Sequence, residues 1–202
     1  MNGLELLIWV RGPGLTLALG RKADLAPART VTPGSGWHTI FSRSLPPPGM
    51  LRRAPLTYLG GYVFHIGMAL AVLFFVPHIE LIRGLVGLSW SGLPNSLVDV
   101  ATIAAILAMI ALLVGRLADP VKRLLSGGGD WLAWALTFVP LVTGYAAYHH
   151  WFANYTLTLA VHILAVELLI AVLPFTKLFH VFSLFLARWY NGEIAGRKGV
   201  AS

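Results

Sequence analysis

The sequence predicts an all-α membrane protein, a bundle of four to five transmembrane helices that forms a single domain over residues 1–202. Two features of its composition predict this class: 57% of the 202 residues are hydrophobic and only 11% are charged. Soluble domains carry about 25% charged residues, so a soluble chain of this composition would lack polar side chains for its surface. The third observation is that the apolar residues are gathered into long runs, and a membrane span takes roughly 20 of them.

The composition also excludes several classes of protein. High hydrophobicity excludes an intrinsically disordered chain. The chain has no cysteine, which excludes a disulfide-stapled secreted fold, an Fe–S cluster and a covalently attached c-type haem. Any redox centre within this chain must therefore be held by histidines.

Four apolar runs are long enough to span a bilayer: about 56–79, 97–115, 131–150 and 155–175, the last extending in apolar and aromatic residues to about 186. A fifth run, about 4–20, is a weaker candidate. It is short, has Arg11 near its middle and contains Gly12-Pro13-Gly14, a sequence that breaks helices.

The basic residues predict the orientation of these spans. Of the 15 Lys and Arg residues, 13 lie in three segments, namely 21–55, 116–130 and the tail that follows the last span. If the four strong helices alternate in direction, all three segments fall on one side, which the positive-inside rule makes cytoplasmic. We therefore expect a multi-pass protein of the inner (cytoplasmic) membrane with a cytoplasmic C-terminus. The net charge of +7 reflects this orientation, and we expect no nucleic-acid partner.

Histidines at the ends of the spans are the candidate functional residues, because polar groups within a bilayer are expensive. His162 and His180 are 18 residues apart, which on one continuous helix returns to the same face after about 27 Å. His65 and His78 lie on a helix that runs the other way. An antiparallel arrangement then pairs His65 with His180 at the cytoplasmic side and His78 with His162 at the outer side.

The outer pair has an alternative. Thirteen residues from His65 to His78 rotate by about 220° on an ideal helix, so the two share a face only if Pro77 ends the helix and redirects His78. His149 or His150 are the other residues that would complete the outer pair, and we prefer His78 with His150 as the alternative. His38, in a loop, is interpreted as a solvated residue.

Two pairs of imidazoles at two depths are typical of bis-histidine ligation of b-type haem, which leaves no coordination position open and suits electron transfer. We therefore expect the bundle to hold two haem b groups. Gly60, Gly61 and Gly67 flank His65. They would either let a porphyrin approach the backbone or serve ordinary helix packing.

Several motifs then resemble one family. FHIG at Phe64–Gly67, Pro77-His78, Leu93-Pro94 and LPFTKLFH at Leu173–His180 resemble the gamma subunit of respiratory nitrate reductases. That subunit is a diheme cytochrome b, related to the membrane subunits of sulfite-reductase-linked and heterodisulfide-reductase complexes. The resemblance covers roughly 56–200.

The resemblance implies roles for individual residues. His65 and His180 would ligate the proximal, cytoplasmic haem iron, and His162 one side of the distal iron. The family's second distal ligand falls here on Phe75, so His78 is argued separately. The lysine of the family's quinol site has no counterpart, since no lysine occurs between Lys22 and Lys122.

The implied function is a membrane-anchoring diheme cytochrome b subunit of a respiratory oxidoreductase. It would pass electrons between the quinone pool, with quinone as substrate, and a cytoplasmic Fe–S subunit joined to a catalytic subunit. Candidate groups at an outer quinol site are His149, His150, Glu80, Arg83 and Asp99. Glu167, inside the last span, is either a proton relay or a neutral hydrogen-bonded carboxyl.

A second hypothesis is a cofactor-free membrane anchor or transporter component. In that case the histidines would bind a metal ion or relay protons.

Overall fold

A computed structural model describes Arg29 and residues 35–200, and these residues contain helices and turns but no strand. The predicted all-α class is thereby confirmed for the described part of the chain. Its helices are, in order, α1 Gly36–Ser42, α2 Met50–Arg53, α3 Pro55–Phe74, α4 Val76–Val86, α5 Asn95–Ala118, α6 Pro120–Leu124, α7 Gly128–Tyr148, α8 Tyr155–Val172 and α9 His180–Arg197.

Four segments are long and apolar enough to cross a membrane, as expected of a multi-pass membrane protein. They are Pro55–Phe74, Asn95–Ala118, Gly128–Tyr148 and Tyr155–Phe175. These coincide with the four strong runs of the sequence, because a backbone surrounded by lipid must satisfy its polar groups within the helix. The weak candidate 4–20 lies outside the described residues.

The first predicted span, 56–79, is not one helix. The backbone is extended at Phe75, with φ −78° and ψ 124°, and α4 begins at the next residue with Pro77 in its first turn. A proline inside a helix has no N–H to donate and its ring clashes with the carbonyl four residues before it. The chain therefore ends α3 at Phe74 and starts a new helix.

The extension of the last span to 186 as one helix is wrong. α8 ends at Val172, and two short 3-10 turns, Leu173–Phe175 and Lys177–Phe179, follow before α9 begins at His180. Between the two turns Thr176 is extended, with φ −119° and ψ 173°. Pro174 is the physical reason, since it cannot continue the hydrogen-bond ladder of α8.

The described residues divide into two compact units, one formed by Gly49–Leu169 and the other by residues 35–48 with 170–200. In the Gly49–Leu169 unit, α3 packs closely on α5 through small residues. A Cβ at Gly67 would lie 2.5 Å from the carbonyl oxygen of Ala101, and one at Gly60 would lie 3.2 Å from Leu112. Close approach through small residues is typical of helices packed in membranes.

These glycines therefore serve helix packing, which was one of the two interpretations open for them. At Gly61 a Cβ would meet no atom within 4 Å.

The core of this unit lies between α5 and α7. Ala105, Met109 and Leu141 are buried there, with the aromatic rings of Trp134 and Phe138 packed against them. The indole N–H of Trp134 donates to the carbonyl of Met109 at 3.1 Å, which satisfies the one polar atom of that side chain.

The α5–α7 connection is held by side-chain caps. The Asp119 carboxylate accepts hydrogen bonds from the backbone N–H groups of Val121 (3.0 Å) and Lys122 (3.3 Å) at the start of α6. Asp130 accepts from the Gly127 N–H at the start of α7 (3.0 Å), and its carboxylate lies 3.8 Å from the Arg116 guanidinium.

In the other unit α1 packs on α9. The two helices meet where Gly192 of α9 contacts Thr39 and where Gly36 of α1 faces the Trp189 ring, both closely enough to leave no space for a Cβ. The Gly36 N–H donates to the Glu193 carboxylate at 2.9 Å, which joins the start of α1 to α9.

Candidate functional site

Two of the predicted ligands face each other in the Gly49–Leu169 unit. The imidazole rings of His78, on α4, and His162, on α8, lie with centroids 6.3 Å apart and planes inclined by 22°. The structure thus brings together the pair that the sequence predicted for the outer side. Their role as ligands remains a prediction.

The helix break at Phe75 positions His78. Because Phe75 leaves the helix, the carbonyl groups of the last turn of α3 lose their helical donors. The Nδ1–H of His78 donates to the carbonyl of Ala71 at 2.9 Å. The ring therefore turns back onto α3.

Two neighbouring residues donate hydrogen bonds to other carbonyl groups in the last turn of α3. The Trp90 indole N–H donates to the Leu73 carbonyl at 2.6 Å, and the backbone N–H of Leu93 donates to the Phe74 carbonyl at 3.0 Å. Sequence reasoning missed Trp90. Trp90 lies between two spans, and nothing in the sequence around it indicates that its indole N–H would donate to a backbone carbonyl of α3.

Helix α7 holds the ring of His162. The Thr143 hydroxyl donates to the Val139 carbonyl at 2.8 Å, so its lone pairs are available to the Nδ1–H of His162 at 3.3 Å. Gly144 lies against the same ring, since a Cβ there would be 2.8 Å from its Cε1 atom. Sequence reasoning missed both residues, although an isolated glycine in a helix is a known mark of close approach.

The hydrogen bonds of His78 and His162 fix the same tautomer, in which Nδ1 carries the proton and Nε2 carries the lone pair. Metal-bound histidines commonly donate their second ring N–H to a carbonyl or a similar acceptor. With metal–nitrogen bonds of about 2.0 Å, an ion held between two imidazoles separates their centroids by about 6 Å. The separation observed matches that value.

The pair offers two imidazole donors. No group of three or more His, Cys, Asp or Glu residues that would hold a metal ion occurs among the described residues. Haem iron takes four nitrogens from the porphyrin and needs only two axial ligands from the protein. Two imidazoles with Nε2 lone pairs meet that requirement.

His65 lies on α3, where its Nδ1–H donates to the Gly61 carbonyl at 2.7 Å and its ring meets the Phe64 ring edge-on at 4.7 Å. It therefore has the same tautomer as His78 and His162.

His180 is the first residue of α9, and its Nδ1–H donates to the Lys177 carbonyl at 2.8 Å. Because Pro174 and Thr176 interrupt the helix, the expectation that His162 and His180 share one face of a continuous helix is wrong. His65 and His180 belong to different compact units, and their pairing remains a prediction.

The two histidines that end α7 have other neighbours. The Nε2–H of His149 donates to the Asp99 carboxylate at 3.1 Å, and its ring lies 4.3 Å from that of Tyr145. His150, at φ 51°, places its ring 4.7 Å from that of Tyr155. The structure therefore places His78, rather than the alternative His150, against His162.

A line of aromatic rings runs from His149 toward this pair. Tyr148 lies 5.1 Å from His149 and 4.9 Å from Phe75, and Phe75 lies 5.2 Å from His78. The Asp99–His149 pair is thus connected by packed rings to the His78–His162 pair.

The remaining candidates have other surroundings. Glu80 and Arg83 form an exposed ion pair of 2.6 Å on α4. Glu167 is exposed on α8. His38 is exposed, as predicted, but it lies on α1 and not in a loop.

Comparison with known proteins gives one relative. The chain is 34% identical over 152 residues to a protein of Nitratidesulfovibrio vulgaris (strain Hildenborough), an alignment that covers 75% of this chain and 67% of the relative. The relative bears only the name "Protein", which says nothing of its activity. No family model matches the chain, and no solved structure matches it significantly.

Proposed function

The chain belongs to the same family as the Nitratidesulfovibrio vulgaris protein, and we propose that it is a membrane-anchoring diheme cytochrome b subunit of a respiratory oxidoreductase. It carries electrons between the quinone pool and an Fe–S partner subunit on the cytoplasmic side, which in turn serves a catalytic subunit. Its location is the inner membrane, with the C-terminus in the cytoplasm.

The observation that carries the proposal is the His78–His162 pair. The two rings come from different helices, lie with centroids 6.3 Å apart and carry their protons on Nδ1, which supports a role as the two protein ligands of one haem. His65 and His180 are assigned to the second haem. A bound haem supplies reversible one-electron transfer.

The protein residues around the outer pair hold the two imidazoles. Pro77 ends α3, and the change of chain direction brings the Nδ1–H of His78 to the Ala71 carbonyl. Thr143 and Gly144 accommodate the ring of His162 by a hydrogen bond and by the absence of a side chain. These contacts fix the two ligands before any cofactor binds, which lowers the cost of binding.

Oxidation of a quinol to a quinone releases two electrons and two protons. The Asp99–His149 pair is the proposed proton acceptor at the outer side, because Asp99 holds the imidazole in the tautomer whose Nδ1 has a lone pair. Haem groups held by His78 with His162 and by His65 with His180 would supply the one-electron steps by which these two electrons reach the Fe–S subunit. In the opposite direction the same groups would protonate the reduced quinone.

The test is a dithionite-reduced minus oxidised spectrum of membranes that contain the chain. We expect bands of b-type haem that are about half as intense in His162→Ala and unchanged in His38→Ala, a variant at an exposed position of α1. A protein that is inserted in the membrane but shows no haem bands would contradict the proposal and favour the cofactor-free anchor or transporter component.

A further inference from the structure

Helix α9 exposes a continuous apolar strip. Val181, Phe182, Phe185, Leu186 and Trp189, which we call the α9 strip, recur at a spacing that places them on one side of a helix. Their exposed fractions range from 43% for Trp189 to 66% for Leu186. Contiguous exposed apolar surface of this kind marks an interaction site.

Helix α1 adds further aromatic surface to the same unit. Trp37 and Phe41 are 67% and 69% exposed. α1 is joined to α9 by the Gly36–Glu193 hydrogen bond of 2.9 Å and by the Arg188–Ser44 hydrogen bond of 2.8 Å. Both helices therefore present aromatic side chains from one compact unit.

The charges of this unit are mostly positive. Residues 36–45 and 177–198 contain five basic residues and a single acidic one, Glu193. The Glu193 carboxylate already accepts the Gly36 N–H. The basic residues are Arg43, Lys177, Arg188, Arg197 and Lys198.

The chain ties the α9 strip to a membrane span. The span ends at Phe175, and α9 begins five residues later at His180. Five residues reach at most about 18 Å when fully extended. The start of α9 is therefore held within reach of the bilayer interface.

We infer that α9 is an in-plane membrane helix, whose strip enters the boundary between headgroups and acyl chains of a leaflet rich in anionic lipid. Helices that combine Trp, Phe and Leu with Lys and Arg bind membranes in this way. The basic residues meet lipid phosphates, since an anionic surface attracts juxtamembrane cations. An acidic protein subunit is the competing occupant of the strip.

The absence of cysteine allows a direct test on the full chain. A nitroxide is attached to Leu186→Cys, within the strip, and separately to the matched control Asn191→Cys, an exposed polar position of the same helix. Each labelled protein is placed in nanodiscs with and without phosphatidylglycerol. Power saturation then compares the accessibility of the label to oxygen, which partitions into the bilayer, with that to a water-soluble nickel chelate.

We expect the oxygen-to-nickel ratio to be several-fold higher at position 186 than at position 191, and to fall at position 186 when phosphatidylglycerol is replaced by phosphatidylcholine. Equal ratios at the two positions would overturn the inference. So would a label at 186 that stays accessible to nickel until a partner subunit is added. None of these readings depends on haem, so the result is separate from the test of the proposed function.

Discussion

The imidazole of His78 lies 6.3 Å, centroid to centroid, from that of His162, although the two residues come from helices α4 and α8. This relationship depends on a helix break at Phe75 and on a glycine at position 144. Each of these features leads to a prediction that separates a ligand pair from two histidines that merely pack together.

The first prediction concerns the identity of the outer ligand. Because His78 faces His162 and His150 faces Tyr155, His78→Ala should lose one of the two haems, and His150→Ala should keep both. The measurement is the haem-to-protein ratio of the purified variants, with the reduced spectrum resolving the two centres. Loss of haem in His150→Ala alone would reverse the assignment.

The second prediction concerns Pro77. In Pro77→Ala the backbone regains an N–H and the ring clash with the preceding turn disappears, so α3 is expected to continue past Phe75. On a continuous helix His78 would lie about 10 Å along the axis from Ala71, too far for its Nδ1–H to reach the Ala71 carbonyl. We expect loss of the distal haem with helix content unchanged or slightly higher by circular dichroism.

Pro94→Ala serves as the control for Pro77→Ala. Pro94 precedes α5 and is not inside a predicted continuous helix, so its replacement should leave haem content unchanged. Equal effects of the two variants would mean that the Phe75 break does not position His78.

The third prediction compares two glycines. Gly144→Ala would place a methyl group 2.8 Å from the His162 ring, whereas at Gly61 a Cβ meets nothing within 4 Å. Overpacking costs about 1–3 kcal/mol, so Gly144→Ala should lower thermal stability and haem content together. Gly61→Ala, in a helix, should instead raise the free energy of unfolding by up to about 1 kcal/mol. A Gly144→Ala protein that binds haem normally would show that the position of the His162 ring is not critical.

The fourth prediction concerns proton transfer. Asp99→Asn removes the carboxylate that holds His149, while the His78–His162 pair keeps all its own contacts. We expect the rate of haem reduction by a quinol to fall by about 10²-fold, the scale of acid–base catalysis, with the dithionite-reduced spectrum unchanged. Asp119→Asn, at the cap of α6, is the control and should retain the quinol rate.

The fifth prediction is a pH dependence outside the spans. The hydrogen bond from the Lys122 backbone N–H, aided by that from Val121 and by the Lys122 charge, lowers the pKa of Asp119. A carboxyl whose folded pKa is lowered contributes stability above its unfolded pKa of about 3.9, and this contribution is lost as the pH falls through the lowered value.

The measurement for Asp119 is the difference in thermal midpoint between the wild type and Asp119→Ala in detergent, across pH 2 to 7. The difference should be small, since Asp119 is exposed, constant above about pH 5 and smaller toward pH 2. A difference that grows as the pH falls would contradict the role of the ionised carboxylate as the cap of α6.

Much of the fold is predictable from sequence because membrane insertion depends on local composition. A run of about 20 apolar residues satisfies its own backbone only as a helix, so the four spans follow directly from their runs. The same dependence on local composition explains why the last span was wrongly expected to continue to 186. Apolar residues continue through Leu173–Leu186, but Pro174 interrupts the hydrogen-bond ladder of α8. An average over composition does not register one missing backbone N–H.

The sequence by itself determined the spans, the absence of thiolate ligands and the set of histidines at the span ends. Only the tertiary structure decided that His78 and not His150 lies beside His162, that Gly60 and Gly67 serve the α3–α5 contact, and that Thr143 and Gly144 accommodate the second ring. The physical reason is that which faces of two helices meet depends on their rotation and on where each helix breaks. Those quantities arise from contacts between residues far apart in the chain.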